Sequence, residues 1–160
     1  VFTGDRSGDW LYEALHHFGF ANQATSTHVG DGLALTDCYI GATVRCAPPA
    51  NKPTPKEFIA CRPFVVREVQ LLKAVRVVVV LGKIAFDHYL KASREVGHRL
   101  PTPLPKFGHG AIYNLPWDVT LISSYHPSQQ NTFTGKLTRS MFHRIFSQAR
   151  QTLSGTSNPN

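Results

Sequence analysis

Acidic side chains are scarce in this sequence, with 10 Asp and Glu against 17 Lys and Arg, a formal charge of +7. The imbalance has two readings: a solvated surface kept soluble by its charge, or a polyanionic partner, most simply nucleic acid. Cysteine is also sparse. Three residues, an odd number, argue against a disulfide framework and for a reducing, cytoplasmic setting. Long apolar runs are missing: the longest, Val75 to Leu81 around Arg76, is far too short to span a bilayer. No charged-then-apolar leader points to secretion. No strand is followed by Gly-x-Gly-x-x-Gly or by a phosphate-cradling Gly-Lys-Ser/Thr loop, and Leu81-Gly82-Lys83-Ile84 is too short to be one, which argues against a nucleotide-binding α/β enzyme. There are no internal repeats. The chain also opens at Val1 without Met, directly into a glycine-rich loop, and we expect the N-terminal part of a longer protein to precede it.

What is present suits one domain with a sizeable core, over residues 1–153, followed by a polar tail at 154–160. Trp10, Leu11, Ala14, Leu15 and Phe18 recur at helical spacing, and Gly19 is a natural stop. Residues 33–44 are mostly apolar and read as a strand. Pro48, Pro49 and Pro53 then exclude regular structure. Thr54-Pro55-Lys56-Glu57 carries a capping box and a proline suited to the first helical position, so a helix runs to about Lys73 with a kink or break near Pro63. Val75 to Leu81 reads as a fully buried parallel strand, and Gly82 turns the chain into a helix to about Ala92. Residues 94–110 are irregular, Ala111 to Leu115 is a short strand, and Val119 to Ser123 is another. Leu137, Met141, Phe142, Ile145, Phe146, Ala149 and Leu153 stripe a final helix. Strands alternating with helices predict a three-layer α/β/α fold with a short, mostly parallel sheet.

Three groups of residues could carry chemistry. His126, in Tyr125-His126-Pro127-Ser128, stands where a strand hands over to a loop, the place where open α/β sheets bind ligands. Pro127 biases His126 towards an extended backbone, presenting the imidazole at the sheet edge; the bland alternative is a connecting loop that contains a histidine. Asp5, in the loop beginning at Phe2, is either a turn or cap residue or a carboxylate for glycosidic hydrolysis. That reaction develops positive charge on a sugar and negative charge on the leaving base, and a carboxylate with a hydrogen-bond donor serves both. Cys46 and Cys61 lie on a loop and the following helix, so both could reach one metal or cluster. Two thiolates are too few for zinc or iron–sulfur ligation, and buried structural cysteines remain the plainer reading. Cys38 reads as core.

Five motifs in order resemble one family: Phe2 to Tyr12 (Phe-Thr-Gly-Asp-Arg-Ser-Gly-Asp-Trp-Leu-Tyr), Val44 to Pro55, Cys61 to Phe64, Phe107 to Ala111 (Phe-Gly-His-Gly-Ala), and Tyr125 to Thr132 (Tyr-His-Pro-Ser-Gln-Gln-Asn-Thr). Together, over nearly the whole chain, they look like the family 5, or type b, uracil-DNA glycosylases of bacteria and archaea. The resemblance implies a uracil-DNA glycosylase fold with a four-stranded parallel sheet, a [4Fe–4S] cluster, and base-excision repair on double- and single-stranded DNA by a monomer at the nucleoid. Cys46 and Cys61 match the family's third and fourth cluster ligands; the first two, the first strand and its Gly-Leu-Ala-Pro loop lie upstream in the family and not in this sequence. The resemblance makes Asp5 the acid acting on the catalytic water and His126 the donor to the uracil carbonyl. Phe2, beside Gly4, stacks on the extruded base, and Asn51 lines the pocket. Ser128, Gln129, Gln130, Asn131 and Phe133, with Lys136, form the segment that meets DNA. Ala42 departs from the related family 4 enzymes, which have an Asn there that reads the uracil edge. Its loss implies broader substrates, hypoxanthine included. The alternatives are a non-catalytic lesion-binding relative and a family 4 enzyme.

Overall fold

The computed structural model describes residues 5–46 and 52–155. Helix α1 (Arg6–His17) opens the described chain. A loop then leads to α2 (Pro55–Leu71), β1 (Val77–Leu81), α3 (Lys83–Val96), β2 (Ile112–Leu115), β3 (Val119–Ser124), the short α4 (Gln129–Phe133) and α5 (Arg139–Leu153). The strands form a sheet in the order β1-β3-β2, with β1 parallel and β2 antiparallel to the central β3. The α/β/α class therefore stands, while among the described residues the sheet is three-stranded and mixed rather than mostly parallel.

Period-two alternation divides the sheet's side chains between two cores. Val77, Val79, Leu81 and Ile122 face α1 and α5, where Trp10, Leu11, Leu15, Phe142, Ile145 and Phe146 pack. Val78, Val80, Val119 and Leu121 face α3, meeting Phe86 and Leu90. Phe142 is wholly buried and stands edge-on to Trp10 and Phe146, at centroid distances of 5.9 and 5.1 Å. Burying an aromatic ring of this kind stabilises the fold by about 2–3 kcal/mol. Helix α2 lies outside α3, joined by the Phe58–His88 stack at 4.7 Å and the Arg62–Glu95 pair at 3.1 Å.

Several expectations are corrected. No strand forms over 33–44. Apart from an isolated bridge between Ala21 and Leu35, this stretch is irregular, because Asp37 adopts a left-handed backbone (φ 52°) that no extended run can contain. The segment is instead pinned to the stretch that follows α1 by Thr36 N–H donating to the Phe20 carbonyl, and by Asn22, whose side chain brackets Gly32 and Ala34. The valine strand is not fully buried: only Val80 is, since β1 lies at the edge of the described sheet. Helix α2 passes through Pro63 as one element. Ile59 and Pro63 are both exposed, so the carbonyl that loses its donor can reach water. Helix α3 continues beyond Ala92 to Val96 and ends on Gly97, which takes the left-handed conformation (φ 107°). The loop expected after His126 contains α4.

Candidate active site

Central strand β3 ends in two fully buried serines, Ser123 and Ser124, and delivers Tyr125-His126-Pro127 at the carboxyl edge of the sheet. This is where the sequence places His126. Each carbonyl of the turn has a partner. The Ser124 Oγ–H donates to the Tyr125 carbonyl at 2.9 Å, Asn131 Nδ2 donates to the His126 carbonyl at 2.9 Å, and Ser7 Oγ donates to the Pro127 carbonyl at 3.1 Å. Gly82, which ends β1, donates its N–H to the Ser124 carbonyl at 2.8 Å and passes so close that a Cβ there would stand 3.3 Å from His126 Cβ. Pro127 is itself buried, so the turn is held by packing as well as by hydrogen bonds.

Asp5 is the N-cap of α1. Its Oδ1 accepts the Gly8 N–H at 2.6 Å, and its backbone is extended, as a cap requires. The capping role and the proposed chemical one coexist, because the cap also stations the carboxylate where its charge acts on His126. Burial lowers the His126 pKa and the Asp5 charge partly opposes this, so the imidazole is neutral near pH 7. Sequence separation of the two groups shrinks in the fold: Ser7, in the turn that Asp5 caps, bonds the residue after His126, and the charge of the exposed carboxylate acts on the half-buried imidazole. Such a pair can stabilise a cation and position a water on one side while donating a hydrogen bond on the other.

Cationic groups surround the pair. The Arg6 guanidinium lies 4.2 Å over the Phe133 ring, and Lys136 Nζ lies 4.8 Å over the Tyr125 ring. Arg139 covers Trp10 at 4.3 Å and pairs with Glu13; burial, then the nearby Arg6, lower its pKa. Gln129 and Gln130 open α4 and are exposed, as is Phe133. Ser128 caps that helix, accepting the Asn131 N–H at 3.3 Å. Asn131 is the least free of the residues expected to meet DNA, because its carboxamide already holds His126.

Ala42 lines a shallow cavity of about 250 Å³ with Tyr39, Ile40, Gly41, Arg45 and Glu68; neither Asp5 nor His126 is part of that lining. Glu68 ties this loop to α2 by accepting from the Tyr39 hydroxyl at 2.7 Å and from Arg45. Cys61 is buried on α2 and Cys46 is exposed, yet the two thiols are neighbours: after desolvation, Cys61 is the next cause of the raised Cys46 pKa, with Glu57 adding to it. The pair fits one half of a four-thiolate site, and no group of three His, Cys, Asp or Glu able to hold a metal occurs among the described residues. Phe2, Gly4 and Asn51 lie outside the described residues.

Sequence reasoning missed Ser7, Gly82 and His109 as parts of this site. A glycine directly after a strand was the signal for Gly82. Ser7 and His109 stood inside quoted motifs without roles, because only the folded chain brings them to the turn.

A family model described as the uracil DNA glycosylase superfamily matches residues 1–150. A type-5 uracil-DNA glycosylase of Mycobacterium bovis is 45% identical over 152 residues, covering 94% of this chain and 55% of the relative. One from Thermus thermophilus is 45% identical over 94% of this chain and 66% of its own length. Another, from Pyrobaculum aerophilum, is 36% identical over 86% of this chain and 57% of its own length. The chain thus spans about half to two thirds of the curated relatives it matches.

Proposed function

Because the chain belongs to the uracil DNA glycosylase superfamily, we propose that it carries the catalytic pair of an enzyme that hydrolyses the bond between uracil and deoxyribose in DNA, starting base-excision repair. The observation that carries this reading is the meeting of the Asp5 carboxylate with a neutral, half-buried His126 at the end of β3. The basic groups Arg6, Lys136 and Arg139 attract phosphates and give salt-dependent affinity. The damaged nucleotide leaves the stack at a cost of a few kcal/mol, least where it is mispaired. As the C1′–N1 bond breaks, its electron pair goes to the base. His126 donates a hydrogen bond to the base oxygen, where the negative charge collects. Asp5 faces the sugar cation and orients the water whose oxygen bonds to C1′. One proton of that water passes to the carboxylate and on to solvent, and the base anion takes up one proton from solvent as it departs.

Phe2 and Gly4 support the flipped ring and Asn51 lines its pocket, while Ser128, Gln129, Gln130 and Asn131 enter or support the duplex face. Ala42, lacking a carboxamide, admits deaminated bases beyond uracil, hypoxanthine among them. The substrate is double- or single-stranded DNA, the enzyme a monomer at the nucleoid of a bacterium or archaeon. No helix among the described residues is long and apolar enough to cross a membrane. Cys46 and Cys61 supply two thiolates of a [4Fe–4S] cluster, whose contribution when bound is to cross-link the loop at Cys46 to α2. Cys46→Ser then lowers iron content and DNA affinity more than it slows chemistry.

The test is single-turnover release of uracil, hypoxanthine and 5-hydroxymethyluracil from duplexes by the full-length protein. Asp5→Asn and His126→Ala each lower the rate by about 10²–10³-fold while duplex affinity survives. Unchanged turnover in both variants refutes the assignment.

A further inference from the structure

We propose that His109 is a positioning residue for this reaction: by accepting the Tyr125 N–H it sets the direction in which the His126 imidazole leaves the end of β3. The inference rests on the glycosylase reading and assigns a task to the Phe107-Gly108-His109-Gly110-Ala111 motif. The bond is direct and of ordinary length, with Tyr125 N–H donating to His109 Nδ1 at 3.1 Å, while the Ser124 hydroxyl lies 3.5 Å from the same nitrogen. Tyr125 is the residue immediately before His126. Its N–H is part-buried and donates to His109, and a buried donor left without that acceptor disfavours the conformation.

His109 is itself held firmly enough to serve. Gly110 N–H donates to the Ser123 carbonyl at 2.8 Å, Ser123 N–H donates to the Ala111 carbonyl at 3.0 Å, and the Ser123 hydroxyl donates to the Gly108 carbonyl. These bonds stitch both sides of the motif to β3. The ring of His109 also lies against the ring of Tyr125, at 5.0 Å between centroids. Burial lowers the His109 pKa and the Met141 carbonyl on α5 opposes this only in part, so the neutral ring with one proton is favoured. With Nδ1 receiving the Tyr125 N–H, that proton belongs on Nε2. That tautomer leaves Nδ1 free to link the motif to the catalytic turn. Small errors in the aim of a catalytic group are costly, since a displacement of ~1 Å slows reactions by about 10²-fold.

Two carboxamides separate this role from simple space filling. His109→Asn keeps an acceptor the same number of bonds from Cα as Nδ1. His109→Gln has similar bulk but carries its polar atoms one bond further out. In the full-length protein, His109→Gln is expected to slow single-turnover uracil release by roughly 10–100-fold, with duplex affinity within about twofold. His109→Asn is expected to recover most of that loss at an equal melting temperature. Asn and Gln variants that are equally slow, a Gln variant at the wild-type rate, or a loss confined to DNA affinity overturns the proposal. A wild-type protein that releases no uracil overturns the glycosylase reading itself, so the two failures are distinguishable.

Discussion

Ser7 Oγ donates to the Pro127 carbonyl at 3.1 Å, joining residues 120 apart in the sequence. The contact ties the first turn of α1, which begins at the Asp5 cap, to the turn that carries His126. It therefore works as a strut between the two halves of the site.

Ser7→Ala should cut this strut without touching either reacting group. A partly buried hydrogen bond is worth about 1 kcal/mol, so the melting temperature should fall by only a few degrees. The excision rate should fall further than stability implies, by roughly tenfold, because the carboxylate and the imidazole lose their common anchor. A stability loss with an unchanged rate would mean that the strut serves the fold alone.

Gly82 and Gly97 offer a controlled comparison. Both have positive φ, 93° and 107°, so alanine at either position costs about 1–3 kcal/mol of strain, with the larger cost at Gly82, whose ψ of 159° suits glycine alone. They differ also in surroundings: a Cβ at Gly82 would stand 3.3 Å from His126 Cβ, whereas at Gly97 it meets nothing within 4 Å. Both variants should melt lower, and Gly82→Ala alone should also lose excision rate. Equal rates in the two variants would show that His126 is not crowded by that turn.

Acid should weaken the fold before the carboxylates begin to titrate. Burial is the leading cause of lowered pKa values for His88, His109, His126 and His143. Each of them binds its proton more readily in the unfolded chain. Their contribution is therefore complete above the unfolded histidine value of about 6.5 and declines as pH falls through the window beneath it. The urea midpoint should drop between pH 7 and pH 5, and His143→Asn should flatten the slope. A midpoint that rises on acidification across that window would contradict the burial of these rings.

Much of the architecture was readable from local pattern. The capping box at Thr54 and Glu57, the helical stripes ending at Phe18 and Leu153, and the strands around Val80 and Leu121 are short-range features, and each formed near its expected place. Asp5 and His126 stood out as candidates, although a turn or cap carboxylate and a loop histidine were the plainer local readings and the resemblance of the surrounding motifs supplied their expected roles. The failures arose where distant contacts override local preference. Residues 33–44 look β-compatible, yet Asp37 and the hydrogen bonds to Phe20 and Asn22 hold them irregular. The valines of β1 look wholly buried, yet the sheet order leaves that strand at an edge.

By itself, then, the sequence determined the capped and striped helices and the strands around Val80 and Leu121, and which residue types are on hand to stabilise opposite charges. Only the tertiary structure decided that Ser7, Gly82, His109 and Asn131 surround one turn. Hydrogen bonds and close approaches between residues far apart in the chain leave no periodicity to read; they exist only once the sheet and its flanking helices have packed.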